Sequence, residues 1–362
     1  MGFKCGLVGL PNVGKSTVFN ALTAAGIEAA NYPFCTIEPH TGTVAVPDPR
    51  LKKIATIAKS AKSIPALMEF VDIAGLVAGA SKGEGLGNQF LGHIRAVQTI
   101  AHVVRCFEDD NITHVHAEVN PLSDIETIET ELALADIQSL EKACTKLQKT
   151  AKSGDASAQD DINIIKNTLI PQLSEHSHLG QCVHEHAGLC HRYQLLSAKP
   201  VFYIANIAED TPQSMALLEK LQAHAQEKNA PVIAICATIE AELSTLDPEE
   251  KQEFLRAMDM DEPGLDRVIR EGYRLLQLST FFTAGPKEAR AWTIPLNATA
   301  QEAAGTIHSD FSQHFIRAEV IHYDDYIQYN GEQGAKQAGC WQLEGKTYSV
   351  HDGDILLIRA NA

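Results

Sequence analysis

The residues best able to do chemistry lie near the start of the chain, where Gly9, Gly14, Lys15 and Ser16 satisfy the spacing G-x-x-x-x-G-K-S. That pattern suits one task, the cradling of a nucleoside triphosphate with its magnesium ion. Glycines let the backbone turn so that successive N–H groups point at phosphate oxygens. A helix beginning there adds partial positive charge. Lys15 is placed to reach the β- and γ-phosphates, and the Ser16 hydroxyl to ligate magnesium. The context fits. The apolar run Phe3–Val8, closed by Gly9, reads as a buried strand, and Lys15–Ala25 as a helix with Val18, Phe19 and Leu22 on one side.

Later segments complete such a site. Asp72-Ile73-Ala74-Gly75 ends the next well-formed apolar run, so Asp72 is a candidate to hold magnesium through water and the Gly75 N–H to bond the γ-phosphate. The glycine-rich segment Ala78–Gly87 that follows has the looseness of a switch region. Thr36, in Asn31-Tyr32-Pro33-Phe34-Cys35-Thr36, is a candidate to close over the magnesium. After the run Pro200–Ile204 comes Asn206-Ile207-Ala208-Glu209, where GTP-binding switches usually carry Asn-Lys-x-Asp. An Asp there accepts two hydrogen bonds from guanine, and Glu209, one methylene longer, spoils that paired geometry. Asn206 and the backbone at Ile207 can instead serve the adenine 6-amino group and N1. The residues therefore lean toward ATP, by a modest margin, since a missed polar contact costs only a few kcal/mol. Leu76 stands where many switches place a water-orienting Gln, so intrinsic hydrolysis is expected to be slow.

The elements that must position these groups are legible as apolar runs. Phe3–Val8, Ala66–Ile73, Ile100–Cys106, Pro200–Ile204 and Pro231–Ala237 alternate with helical stretches, with Gly42–Val46 as a candidate edge strand. This predicts a mostly parallel α/β sheet with helices on both faces. From about Pro121 to Lys199 the alternation breaks. Ile137, Leu140, Cys144, Leu147 and Ala151 recur at coiled-coil spacing, and Ile162, Ile165, Leu169 and Leu173 rebuild the stripe after a turn at Ser153–Ser157. The reading is an antiparallel helical arm, with Pro171 bending or ending its second limb. From about Leu278 a small α+β domain is expected, with strands Arg290–Pro295, Ala318–His322 and Ile355–Arg359 and a tight turn at Asp352-Gly353-Asp354. The expected division is a discontinuous G domain of 1–120 and 200–277, a coiled-coil insertion of 121–199, and a C-terminal domain of 278–362.

Composition narrows the partners. The chain has 362 residues, 44% of them hydrophobic, and a net charge of −16. It is long enough for several domains, and the charge argues against a wholesale nucleic-acid coat. No run of 18 apolar residues appears, so no membrane helix is expected. The strand at Phe3 leaves no room for a signal peptide, and Gly6 breaks a myristoylation motif. Eight cysteines without framework spacing suit a reducing cytosol, so a cytoplasmic protein is expected.

Taken together, GLPNVGKST, NYPFCTIEP, VDIAGLVAGASKGEGLGNQFL and NIAED resemble the Obg-related P-loop GTPases, specifically the YchF / Obg-like ATPase family. The resemblance covers essentially the whole chain, and VHDGDILLI looks like the closing stretch of a TGS domain, a β-grasp module. It implies phosphate contacts from Asn12, Val13, Gly14, Lys15, Ser16 and Thr17. It also implies magnesium ligation by Ser16 and Thr36, and base recognition by Asn206, Ile207 and Glu209. It implies slow ATP hydrolysis, with His93 as the candidate to position water in place of a Gln, and ribosome association, with the large subunit as the expected partner. Asn12 is also a candidate to hold a potassium ion beside the phosphates, as in some relatives. A monomer is expected. Lys142, Lys146, Lys149 and Lys152 fall on one face of the arm and suit an RNA backbone, although a solvated helix face would look the same. Cys182, His186 and Cys190 share a helical face near His176, His178, His184 and His191, but paired Cys-x-x-Cys spacing is absent and zinc is not expected there. Two other readings of the whole remain: a GTP-specific translation GTPase, and an RNA- or ribosome-binding module that keeps nucleotide as a structural ligand.

Overall fold

The computed structural model describes residues 3–24, 40–73, 86–109, 119–208 and 211–361. Thr36, Gly75, Leu76 and Glu209, with the segments around them, lie outside these residues. In chain order the first strands and helices are β1 (Lys4–Val8), α1 (Lys15–Ala24), β2 (Thr41–Ala45), α2 (Pro49–Ala58), β3 (Ser63–Ile64), β4 (Leu67–Asp72), α3 (Leu86–Ala96), β5 (Thr99–Cys106) and α4 (Pro121–Ala151). The remaining strands are β6 (Val201–Ile207), β7 (Val232–Ile235), β8 (Leu278–Ala284), β9 (Ala289–Pro295), β10 (Phe315–Ile321), β11 (Gln342–Glu344) and β12 (Ile355–Ala360).

The first sheet has the order β2-β4-β1-β5-β6-β7. β1 pairs in parallel with β4 and β5, β5 with β6, and β6 with β7. Every apolar run read as a strand of this sheet is one, and β2 takes the edge. Parallel strands covered on both faces must be apolar throughout, and all eight residues of β5 are buried. His102, in the middle of β5, is pushed down to about 3, chiefly by burial and further by the Lys228 charge, so it is neutral.

The arm begins at Asn120, whose side chain accepts the Leu122 N–H at 3.2 Å and caps α4, with Pro121 at the first helical position. Leu140, Cys144, Ile165, Leu169 and Leu173 from the expected seam bury together, with Ile137 and Leu147 packed against them. The return limb holds a correction. Pro171 does not end it. Ile165–Leu169 is a π-helical turn in which the Ile170 N–H reaches the Ile165 carbonyl, and α-helix resumes over Ile170–His176 until Ser177 turns left-handed at φ 56°. The π turn resets the hydrogen-bond frame, so Pro171 enters a first turn, where a missing N–H is tolerated. At the base, Asp136 on α4 is buried and accepts the N–H groups of Leu196 and Ser197 at 2.9 and 2.8 Å, which fixes the chain as it returns toward β6.

The second sheet has the order β11-β10-β12-β8-β9-β3. β8 and β9 form a hairpin, β12 lies parallel to β8, and β10 is antiparallel to both β12 and β11. The sequence reading missed β8, β11 and β3. β11 and β3 are too short to show alternation, and β8 runs on directly after the helix Gly264–Leu275. The residues fall into two compact units, and Thr43–Met68 groups with Ile269–Ala362. Two contacts explain the grouping. β3 adds to β9 as an edge strand, and Arg50 of α2 donates to Asp352 at 2.6 Å.

Burial raises the Asp352 carboxyl, but the Arg50 guanidinium and the Thr280 N–H outweigh burial and hold it below its usual range. A depressed folded value contributes stability above the unfolded value, about pH 4, that is lost as pH falls through the folded value. Urea titrations of the wild type and Asp352→Asn should therefore show a constant gap above about pH 4 that closes on further acidification. A gap that persists in acid would rule out the ion pair as its source.

Candidate nucleotide site

The site forms at the carboxyl ends of the parallel strands, where a sheet of this kind binds ligands. The loop from Gly9 to Gly14 leaves β1 and enters α1, whose first backbone bond runs from the Val18 N–H to the Gly14 carbonyl at 3.0 Å. Asn12 and Gly14 both take positive φ, 64° and 91°. Asparagine tolerates that region and glycine adopts it freely. Turns of this kind let successive backbone N–H groups face an anion, and the first turn of a helix adds donors that have no partner within the helix. Ser16 and Thr17 sit in that first turn, with Ser16 exposed.

Lys15 is 8% exposed, and its ammonium is paired with the Asp72 carboxylate. The register brings them together, because Leu7 of β1 lies opposite Asp72 at the end of β4. The two residues expected to meet phosphate and magnesium therefore share one point of the sheet edge.

Asn206 sits at the same edge, opposite Arg105 of β5 and Ile235 of β7. It is 4% exposed. Its amide donates to the Val13 carbonyl at 3.0 Å, and its carbonyl accepts the Ala237 N–H at 3.1 Å. The side chain read as a contact for the base thus ties the phosphate loop to the segment after β7. This tie was missed in the sequence, and Ala237 with it. The signal was an Asn just after an apolar run, which does not reveal what it reaches. The packing is tight enough to explain Gly14 a second time, since a Cβ there would lie 2.2 Å from the Asn206 amide nitrogen.

His93 is exposed in the last turn of α3, because Phe90, Leu91 and Ile94 take the core face. Among the described residues no hydrogen bond joins it to Lys15 or Asp72. Lys142, Lys146, Lys149 and Lys152 are all exposed along the end of α4. Cys182, His186 and Cys190 are not among the described groups whose ligand atoms converge as a metal would need. Among the described residues no helix is long and apolar enough to cross a membrane.

Asn206→Ala should leave the Val13 carbonyl and the Ala237 N–H without partners, at a cost of about 1–3 kcal/mol. Urea unfolding should show that loss, and nucleotide affinity should fall with it. Wild-type affinity in the variant would show that the tie does not shape the loop.

Residues 4–138 match the family model described as a 50S ribosome-binding GTPase, and residues 278–361 match the model YchF-GTPase_C. A Pasteurella multocida protein named Ribosome-binding ATPase YchF is 56% identical, with 100% of each chain covered. The Bacillus subtilis protein of the same name is 49% identical, again with 100% of each covered. The structure of the Schizosaccharomyces pombe YchF GTPase superposes with a TM-score of 0.83 at 34% identity, covering 99% of this chain and 98% of that one. With the phosphate loop, the insertion and the C-terminal module all accounted for, the chain belongs to the YchF family.

Proposed function

We propose that this protein is an ATP-hydrolysing switch that associates with the ribosome. The observation that carries the reading is the convergence of Lys15 and Asp72 at the head of a glycine-turned loop, beside the start of α1. Full-length relatives that bear the name Ribosome-binding ATPase support the partner.

In this reading the N–H groups from Asn12 to Thr17 hold the phosphates, and Lys15 leaves Asp72 for the β- and γ-phosphates. Asp72 is then released to hold magnesium through water, with Ser16 and Thr36 as direct ligands. This donor set suits the ion, because hydroxyl and carboxylate oxygens are the ligands magnesium prefers. Magnesium would supply charge neutralisation between the phosphates. Asn12 is the residue to hold a potassium ion. The backbone at Ile207, with Asn206 and Glu209, reads the base and favours adenine. Gly75 senses the γ-phosphate and His93 positions water. Lys142, Lys146, Lys149 and Lys152 on the coiled-coil insertion, with the C-terminal module as a TGS-type β-grasp domain, present the surface for RNA of the large subunit. The functional modules are the nucleotide domain, the insertion of 121–199 and the module from 278, in a monomeric cytoplasmic protein.

Calorimetry with ATP and GTP tests the base. ATP should bind more tightly, and Glu209→Asp should move the preference toward GTP. Tighter GTP binding by the wild type would overturn the adenine reading. Co-sedimentation with ribosomes should depend on ATP and be lost in Lys15→Ala. Undiminished co-sedimentation of that variant would favour a binding module that uses nucleotide only as a structural ligand.

A further inference from the structure

A second set of ligating side chains gathers in the C-terminal unit. His322 directly follows β10, and His351 and Asp354 flank the turn that leads into β12. His322 Nδ1 lies 2.7 Å from Asp354 Oδ1, and His351 Nδ1 lies 3.8 Å from Asp354 Oδ2. The two rings stand 5.9 Å apart at 71°. One ligand atom from each of the three residues lies within 4.8 Å of the others.

The carboxylate between the rings is the informative group. Asp354 is 1% exposed. Among the described residues the basic groups within 4 Å of it are the two imidazoles, with no lysine or arginine. A buried carboxylate calls for a cation. Its orientation is already set, since Oδ2 accepts the Tyr348 hydroxyl and the His351 N–H, each at 2.9 Å. Such outer contacts are the ones that aim a metal-ligating carboxylate. The backbone is fixed as well. Gly353, at φ 95°, donates to the Thr280 carbonyl at 2.8 Å, and Phe282 donates to the Asp354 carbonyl at 2.8 Å. With the backbone held, side-chain movement would bring the three groups to bonds of roughly 2.0–2.2 Å to a common centre.

We propose that His322, His351 and Asp354 form a binding site for a divalent transition-metal ion of the zinc type. Two imidazoles and one carboxylate favour zinc, cobalt, nickel or copper over magnesium and calcium. His351 is 67% exposed, so the ion enters from solvent and keeps a position for water. The competing account of the cluster is a hydrogen-bonded brace for the turn that takes up no ion.

Metal-stripped full-length protein, free of nucleotide, is titrated with zinc chloride in a calorimeter. The wild type should take up one equivalent at micromolar concentration. His322→Ala and His351→Ala should each bind at least roughly tenfold more weakly. Cobalt in place of zinc should give a visible absorption band that the same variants lose. His351 is an exposed side chain, so its variant decides the matter even if His322→Ala melts early. Zinc held by cysteines of the insertion would survive His351→Ala. No uptake at micromolar zinc, or less than a tenfold loss in His351→Ala, overturns the proposal and leaves the brace.

Discussion

The rest of the nucleotide site depends on the parallel register of β1 between β4 and β5. A phosphate loop is only as good as the edge it hangs from. With Leu7 opposite Asp72, the loop's lysine and the next strand's carboxylate arrive at one place. A slip of one residue would turn every side chain of β4 to the other face and carry Asp72 away from Lys15. The register is pinned by burial, since Leu7, Val8, Met68 and Phe70 are all 1% exposed or less. The meeting of Lys15 and Asp72 is therefore a by-product of core packing, which is strong and unspecific, with polar groups placed at its rim.

Asn206 adds what the register alone cannot. Sheet pairing sets the height of a strand end but leaves the loops beyond it free. One buried carboxamide, bonded to Val13 on one side and Ala237 on the other, couples the phosphate loop to the segment after β7. Breaking one bond would leave the other partner buried and unpaired, which makes the pair costly to open. A change at the end of β6 thus has a short covalent and hydrogen-bonded route to the phosphate loop. Physical coupling of this kind is what a nucleotide switch requires.

The arm and the C-terminal unit use different means. The arm hides one apolar stripe, tolerates Pro171 through a π turn, and leaves its lysines in water. The C-terminal unit adds polar fastenings to an apolar core that includes Phe281, Ile294 and Val320, with Arg50 on Asp352 and Asp354 among Tyr348, His322 and His351.

The sequence by itself determined the phosphate loop, the order of the parallel strands' runs and the seam of the arm. Each is written in local spacing: two glycines, a lysine and a serine at fixed offsets, unbroken apolar runs, and a stripe at three and four residues. It also displayed Asp72, which ends an apolar run in Asp-x-x-Gly, and Asn206, which stands where GTP-binding switches carry Asn-Lys-x-Asp. Only the tertiary structure decided what those side chains reach. That Asn206 spans from Val13 to Ala237, that Thr43–Met68 joins the C-terminal unit, and that His322 meets Asp354 are contacts across long stretches of chain. No periodicity encodes them. They follow from where the packed core sets each strand end, and that is a property of the whole fold.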